Sequence, residues 1–184
     1  IEAILVYPSD EFPPTYTKRN RIFRSSVWSL EGELLSAGFP KFVNFGEKEN
    51  IFPPPTSLKG CNIVSKEDGS LIICDFLNNK FSYRTRGTLS GEIHINSNSI
   101  ESTLKKYNIE ELCKKFPGYS ILFEFVTDDP AHSIVLKYPE NDVFLLGMIN
   151  KKNYSLVTQR ELNNIAIEHN LKRPKVYSIS DYTL

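Results

Sequence analysis

A lysine that forms a covalent bond to phosphorus or to a carbonyl carbon must first lose its proton, which requires apolar surroundings or a neighbouring cation. Lys66 is placed to have both. It opens the string Lys66-Glu67-Asp68-Gly69-Ser70-Leu71, with Ile63 ahead of it and Leu71, Ile72 and Ile73 behind. A return strand carrying Arg84-Thr85-Arg86-Gly87 brings two guanidinium groups toward it. Guanidinium groups grip phosphate through paired hydrogen bonds, as lysine does not. Asp68, and Glu124 within Phe123-Glu124-Phe125-Val126, offer oxygens to a hydrated divalent ion, and Gly69 lets backbone approach a ligand closely. The chemistry implied is attack by an amine on a bound phosphate. Each string alone is weak, because a KxDG sequence in isolation reads as a turn with a solvated lysine.

The elements that must position these groups follow from periodicity. Ile1 to Tyr7 reads as a strand, and Pro8, Pro13 and Pro14 impose a loop after it. Ile22 to Trp28 reads as a strand that turns at Glu31-Gly32-Glu33 into Leu34-Leu35. Three prolines, Pro53 to Pro55, make that tract a connector. Cys61 to Ser65 alternates in front of the lysine, Leu71 to Phe76 is an apolar strand, and Asn78-Asn79 turns it back through Phe81 to Arg86. Leu104, Tyr107, Ile109, Leu112 and Phe116 predict a helix from Ile100 to Phe116, stopped by Pro117-Gly118. Strands are expected at Tyr119 to Val126, Ser133 to Tyr138 and Val143 to Ile149, and a helix at Arg160 to Asn170. Many short strands with two helices predict an α+β fold of antiparallel sheets with flanking helices. A single domain over 1–184 fits the length.

Composition narrows the classes. Lys plus Arg and Asp plus Glu both number 22, so no net field draws nucleic acid from a distance and any basic surface is local. Lys18-Arg19-Asn20-Arg21 is the suggestive run. Cys61, Cys74 and Cys113 lack zinc spacing and the density of a secreted scaffold, which fits a reducing, cytoplasmic setting. His94, His132 and His169 lie far apart without ligand spacing. No apolar stretch approaches the ~20 residues that span a bilayer, so no membrane is expected. Trp28 and the phenylalanines Phe39, Phe42 and Phe45 read as core.

Taken in order, KEDGSL, RTRG, FEFV, SIVLKY and VFLLGMIN resemble the nucleotidyltransferase (adenylation) domain of the phage-type ATP-dependent RNA ligases, the RNA ligase 1 branch, with 86 − 66 = 20 positions between the lysine and the basic residue before Gly87. Arg24 in FRSSVW and Lys41 in PKFVNFGE resemble that family's phosphate-contacting stretches. The likeness runs from about Arg21 to Asn150. It implies a covalent nucleotidyltransferase fold using ATP and Mg2+. Lys66 would form lysyl-AMP, AMP would pass to an RNA 5′-phosphate, and an RNA 3′-hydroxyl would displace it. Arg24 and Lys41 would hold the triphosphate, with Arg84 beside them, and Arg86 the ribose or phosphates. Glu124 would meet the ribose hydroxyl or metal-bound water, Asp68 the metal, and Glu67 and Gly69 the nucleotide. Phe144 and Leu146 would flank an adenine slot. DNA ligases and capping enzymes share KxDG but not the rest of the set.

The resemblance also implies an EG-containing strand and a KxK strand after VFLLGMIN, and neither is found. Lys151-Lys152 comes too early and lacks the intervening residue. The expectation is a natural chain that continues past Leu184. The alternative is a noncatalytic module that keeps the fold and binds nucleotide or RNA.

Overall fold

The structure, a computed structural model, describes residues 2–8, 15–44, 47, 53, 56–59, 61–89, 97–129 and 135–178. Phe45, His94, His132, Ser133 and most of the proline tract lie outside them. Among the described residues, three antiparallel sheets organise the chain. The first pairs β1 (Ala3–Val6), β2 (Ser26–Ser29) and β3 (Leu34–Ala37) in that order. The central sheet has the order β6 (Lys80–Arg84), β5 (Ser70–Leu77), β7 (Tyr119–Val126), β8 (Asp142–Asn150). A small third sheet joins β4 (Asn62–Val64) to β9 (Val176–Ser178). Helices α1 (Ser97–Lys106), α2 (Ile109–Lys115) and α3 (Gln159–Glu168) complete the α+β architecture expected from the sequence.

Strand period sorts the side chains to two faces. Ile72, Cys74, Ile121, Phe123, Leu145 and Met148 turn toward the helices and are fully buried with Ile109 and Leu112. Leu71, Ile73, Leu122, Leu146 and Ile149 turn the other way and meet Leu34, Ala37 and Phe39 of the first sheet and the loop that follows it. Glu124 pairs across the strands with Leu71 and Phe144, so all three belong to this second face. The face between the two sheets is therefore where the proposed ligand-binding residues of the central sheet gather.

Local chemistry explains where the elements begin and end. Asn78 and Asn79 both have positive φ, 49° and 60°, and connect Leu77 to its partner Lys80, the two-residue hairpin geometry that Asn tolerates. The single helix expected over 100–116 is two. Asn108 takes a left-handed φ of 52° and breaks the run after Lys106, while the apolar spacing resumes in the next helix. Residues 21–24 form a 3-10 turn, and only Ser26 onward is strand. Residues 135–138 lie outside the strands, contrary to the alternation of SIVLKY. Thr158 and Glu161 form a reciprocal capping box that starts α3.

Arg84 corrects an expectation. It is 4% exposed and turned into the seam between the sheets, where Nε donates to Ser36 Oγ at 2.8 Å and Nη1 to Ser25 Oγ at 2.9 Å. Asp75 shares that seam, accepting from Ser36 Oγ at 2.5 Å and Ser120 Oγ at 2.6 Å, with Lys151 Nζ 3.8 Å away. Burial pulls the guanidinium pKa down to about 10, against the pull of Asp75. Arg84 is a strut between sheets rather than a phosphate ligand, because a side chain already spending its donors on buried hydroxyls has few left for a ligand. Arg84→Met should lower stability by about 2 kcal/mol, read from chemical denaturation, since it strands buried acceptors and removes one of two cations near Asp75. The variant's reaction with nucleotide, measured well below its melting temperature, should match the parent.

Candidate active site

Lys66 lies in a loop between β4 and β5 whose other members are tied down. Ser65 N donates to Lys175 O at 2.8 Å, and Lys175 N donates to Ser65 Oγ at 2.9 Å, so the segment entering β9 closes one side. Glu67 accepts from Ser65 Oγ at 3.1 Å and from the Tyr138 hydroxyl at 3.0 Å. Asp68 accepts from the amides of Val135 and Leu136 at 2.5 and 3.0 Å, while its own amide donates to Tyr138 Oη at 2.9 Å. Lys66 is exposed, with Nζ 3.4 Å from Glu67 O.

Two expectations about the lysine change here. The apolar residues meant to desolvate it do not enclose it: Ile63 is 47% exposed, and Ile72 and Ile73 are committed to opposite cores. Arg84 is spent in the inter-sheet seam. What does face Lys66 is Glu124. Its carboxylate accepts from Gly69 N at 3.1 Å, and burial lifts its pKa to about 6 against the lowering effects of the Lys66 charge and the Gly69 amide.

That shift makes a stability prediction with a definite sign. A carboxyl whose folded pKa of about 6 exceeds its ordinary 4.5 binds its proton more tightly folded than unfolded. Its contribution is full below pH 4.5 and fades as pH rises through 6. Relative to Glu124→Gln, the parent should lose about 2 kcal/mol between pH 4.5 and 7, measured by denaturation at both values. The opposite slope would mean that the carboxylate is stabilised as the anion.

A second group of residues forms around Arg24. Its guanidinium stacks over the Phe42 ring at 4.8 Å, and burial, then the charge of Arg86, lower its pKa. Ser25 Oγ donates to Arg86 O at 2.9 Å, which pins the two arginine-bearing segments together. Tyr16 lies beside both, 8% exposed, and its hydroxyl finds no hydrogen-bond partner among the described residues. Two like charges and an orphaned hydroxyl form a cradle suited to phosphate oxygens. Lys41 is held near it, its amide donating to Arg21 O at 2.8 Å. Sequence reasoning missed Tyr16, which has no motif, and it took Phe42 for core although that ring is 61% exposed.

Phe144 is half-buried on the same face as Glu124, and its ring centroid lies 6.3 Å from that of Tyr138. Leu146 continues the face beside Phe39. Arg173 braces the back of this strand, donating to Leu145 O at 2.5 Å. Oxygen donors suited to Mg2+ are therefore present, but no group of three or more His, Cys, Asp or Glu side chains that could hold a metal occurs among the described residues. Asp68 Oδ2 accepts from two backbone amides, and Glu67 braces the loop through Ser65 and Tyr138. Lys18, Arg19 and Arg21 are exposed. No helix among the described residues is long and apolar enough to cross a membrane.

A family model described as RNA ligase, of the T4 type 1 class, matches residues 19–183. Among solved structures, an archaeal ATP-dependent RNA ligase superposes with a TM-score of 0.60 at 16% identity, covering 84% of this chain and 41% of that one. The Naegleria gruberi RNA ligase with pyrophosphate gives 0.58 at 14% identity, covering 94% and 51%. A point mutant of that Naegleria enzyme with ATP and Mn gives 0.58 at 11% identity, covering 70% and 40%. The chain thus spans about two fifths to one half of the solved chains it is similar to. At these identities the likeness shows the fold.

Proposed function

Since this chain belongs to the RNA ligase family, we propose that it is the ATP-binding part of an ATP-dependent RNA ligase in which Lys66 accepts AMP. The observation that carries the reading is an exposed lysine facing the half-buried Glu124 from a loop whose other residues are all anchored. A nucleotide seated on the face formed by Leu71, Glu124, Phe144 and Leu146 would cover that lysine and supply the desolvation that the free loop lacks.

In this scheme the Lys66 amine, having given its proton to solvent, attacks the α-phosphorus of ATP. A phosphorus–nitrogen bond forms as the bond to pyrophosphate breaks. Arg24, Arg86 and the Tyr16 hydroxyl contact the triphosphate, with Lys41 nearby, and Glu124 accepts from the ribose hydroxyl. Glu124 and water would hold Mg2+, whose preference for hard oxygen they suit, and the ion would supply positive charge to offset that of the phosphates. An RNA 5′-phosphate then displaces Lys66 from AMP, and an RNA 3′-hydroxyl expels AMP to seal the strand. The exposed run Lys18-Arg19-Asn20-Arg21 is a local basic surface for that RNA. The free thiols of Cys61, Cys74 and Cys113 fit a reducing cytoplasm.

The test is to incubate the full-length protein with α-labelled ATP and Mg2+, denature it, and map the label. AMP on Lys66 supports the reading. ATP binding with no covalent label favours the alternative, a noncatalytic nucleotide- or RNA-binding module, which the exposure of Lys66 also suits.

A further inference from the structure

Tyr138 touches the reactive loop from outside it and takes part in no step of the scheme above. Its hydroxyl accepts from Asp68 N at 2.9 Å and donates to the Glu67 carboxylate at 3.0 Å, so one atom ties both residues that follow Lys66. The same ring lies against Phe144, 6.3 Å between centroids and tilted by 56°, on the face assigned to the base. We propose that Tyr138 is the positioning residue that couples occupancy of the base slot to the alignment of Lys66. The proposal rests on the adenylyl-transfer reading of the site.

Ser65, Glu67 and Asp68 are each held by groups distant in sequence: Ser65 by Lys175, the Asp68 carboxylate by the amides of Val135 and Leu136, and both Glu67 and the Asp68 amide by the one Tyr138 phenol. Removing that oxygen leaves the ring's packing intact but frees the Asp68 amide and one Glu67 oxygen. The Lys66 backbone would then gain freedom between Ser65 and the start of β5. Misplacing a reacting group by about 1 Å can cost ~10²-fold in rate without a comparable loss of binding. A base resting on Phe144 would press on the neighbouring Tyr138 ring, whose hydroxyl holds the loop, so filling the slot and fixing the lysine become one event. Burial, and the Glu67 carboxylate it faces, push the Tyr138 phenol up from its ordinary pKa, against the lowering effect of the Asp68 amide, so it remains a donor at neutral pH.

The experiment compares full-length parent, Tyr138→Phe and Tyr138→Ala in single-turnover labelling with α-labelled ATP across ATP concentrations, alongside hydrogen exchange of the Asp68 amide. Tyr138→Phe should lower the maximal labelling rate about 10-fold, change half-saturation by less than about 3-fold, and speed Asp68 exchange about 10-fold. Tyr138→Ala should also weaken ATP binding, because the wall of the slot is gone. A Tyr138→Phe protein with parental maximal rate and parental Asp68 exchange overturns the proposal while leaving lysyl-AMP formation standing. So does a variant whose melting temperature falls while its rate holds, since that describes a merely structural phenol. A parent that takes no label at Lys66 instead overturns the adenylyl-transfer reading, and the role of Tyr138 in it.

Discussion

Lys66→Arg should take up no label from α-labelled ATP, a drop of at least ~10³-fold in the labelling rate, while melting within about 2 °C of the parent. Arginine preserves the positive charge and most of the reach of lysine, so nucleotide affinity should survive, measured by equilibrium binding. What it removes is the ability to present a neutral nucleophilic nitrogen, because the guanidinium holds its proton at any accessible pH. The fold is indifferent for a separate reason. Lys66 is exposed and its amine donates to Glu67 O at 3.4 Å, a geometry contributing little in water. Surface substitutions of this kind usually stay within about 0.5 kcal/mol. Label on the arginine variant at more than a hundredth of the parental rate would place the nucleophile elsewhere.

How far the sequence showed this site depends on what each residue answers to. Local rules made the hairpin at Asn78-Asn79 legible, because two adjacent residues that tolerate positive φ between apolar strands leave few other conformations. The strands bearing Glu124 and Phe144 were equally legible from their apolar runs, and strand alternation then put both on one face. Arg84 and Arg86 show where such reasoning stops. The two are separated by one residue and looked equivalent, yet Arg84 ends β6 and turns into the inter-sheet seam while Arg86 lies beyond the strand, next to Arg24. Only long-range partners, Ser25 and Ser36, decide between them, and serine hydroxyls carry no pattern that announces a buried guanidinium. Tyr138 escaped notice for the same reason, since its partners sit about seventy positions away. Asp68 has partners that its place in the sequence did not reveal. Its carboxylate looked available in the sequence because the amides that occupy it, those of Val135 and Leu136, belong to a segment read there as strand.

Gly69→Ala should damage stability and chemistry together, for a reason that lies in the strand beside it rather than in its dihedrals. An added Cβ at Gly69 would stand 2.1 Å from Phe125 O and 2.9 Å from Phe125 C, with Val126 Cγ1 at 3.1 Å. A flexible side chain could swing away from such a clash. A carbonyl inside the β5–β7 ladder cannot, because Ser70 pairs with Phe125 at the very next position. Relief requires the first residues of β5 to part from β7, which breaks the bond from Gly69 N to Glu124 and carries the Lys66 loop with it. Overpacking of cores costs about 1–3 kcal/mol where side chains yield, so a backbone contact should sit at the upper end, about 3 kcal/mol, or a fall of about 10 °C in Tm. The labelling rate, taken at a temperature where the variant is still folded, should drop ~10²-fold as the lysine shifts by an ångström or more. Loss of the hydrogen bond from the residue-69 amide also removes an influence that lowers the Glu124 pKa, so Glu124 should titrate above 6 in the variant, visible by carboxyl-carbon NMR. A variant with parental melting, labelling and Glu124 titration would show that β5 and β7 do not approach so closely, and the case for how Lys66 is aimed at Glu124 would fail with it.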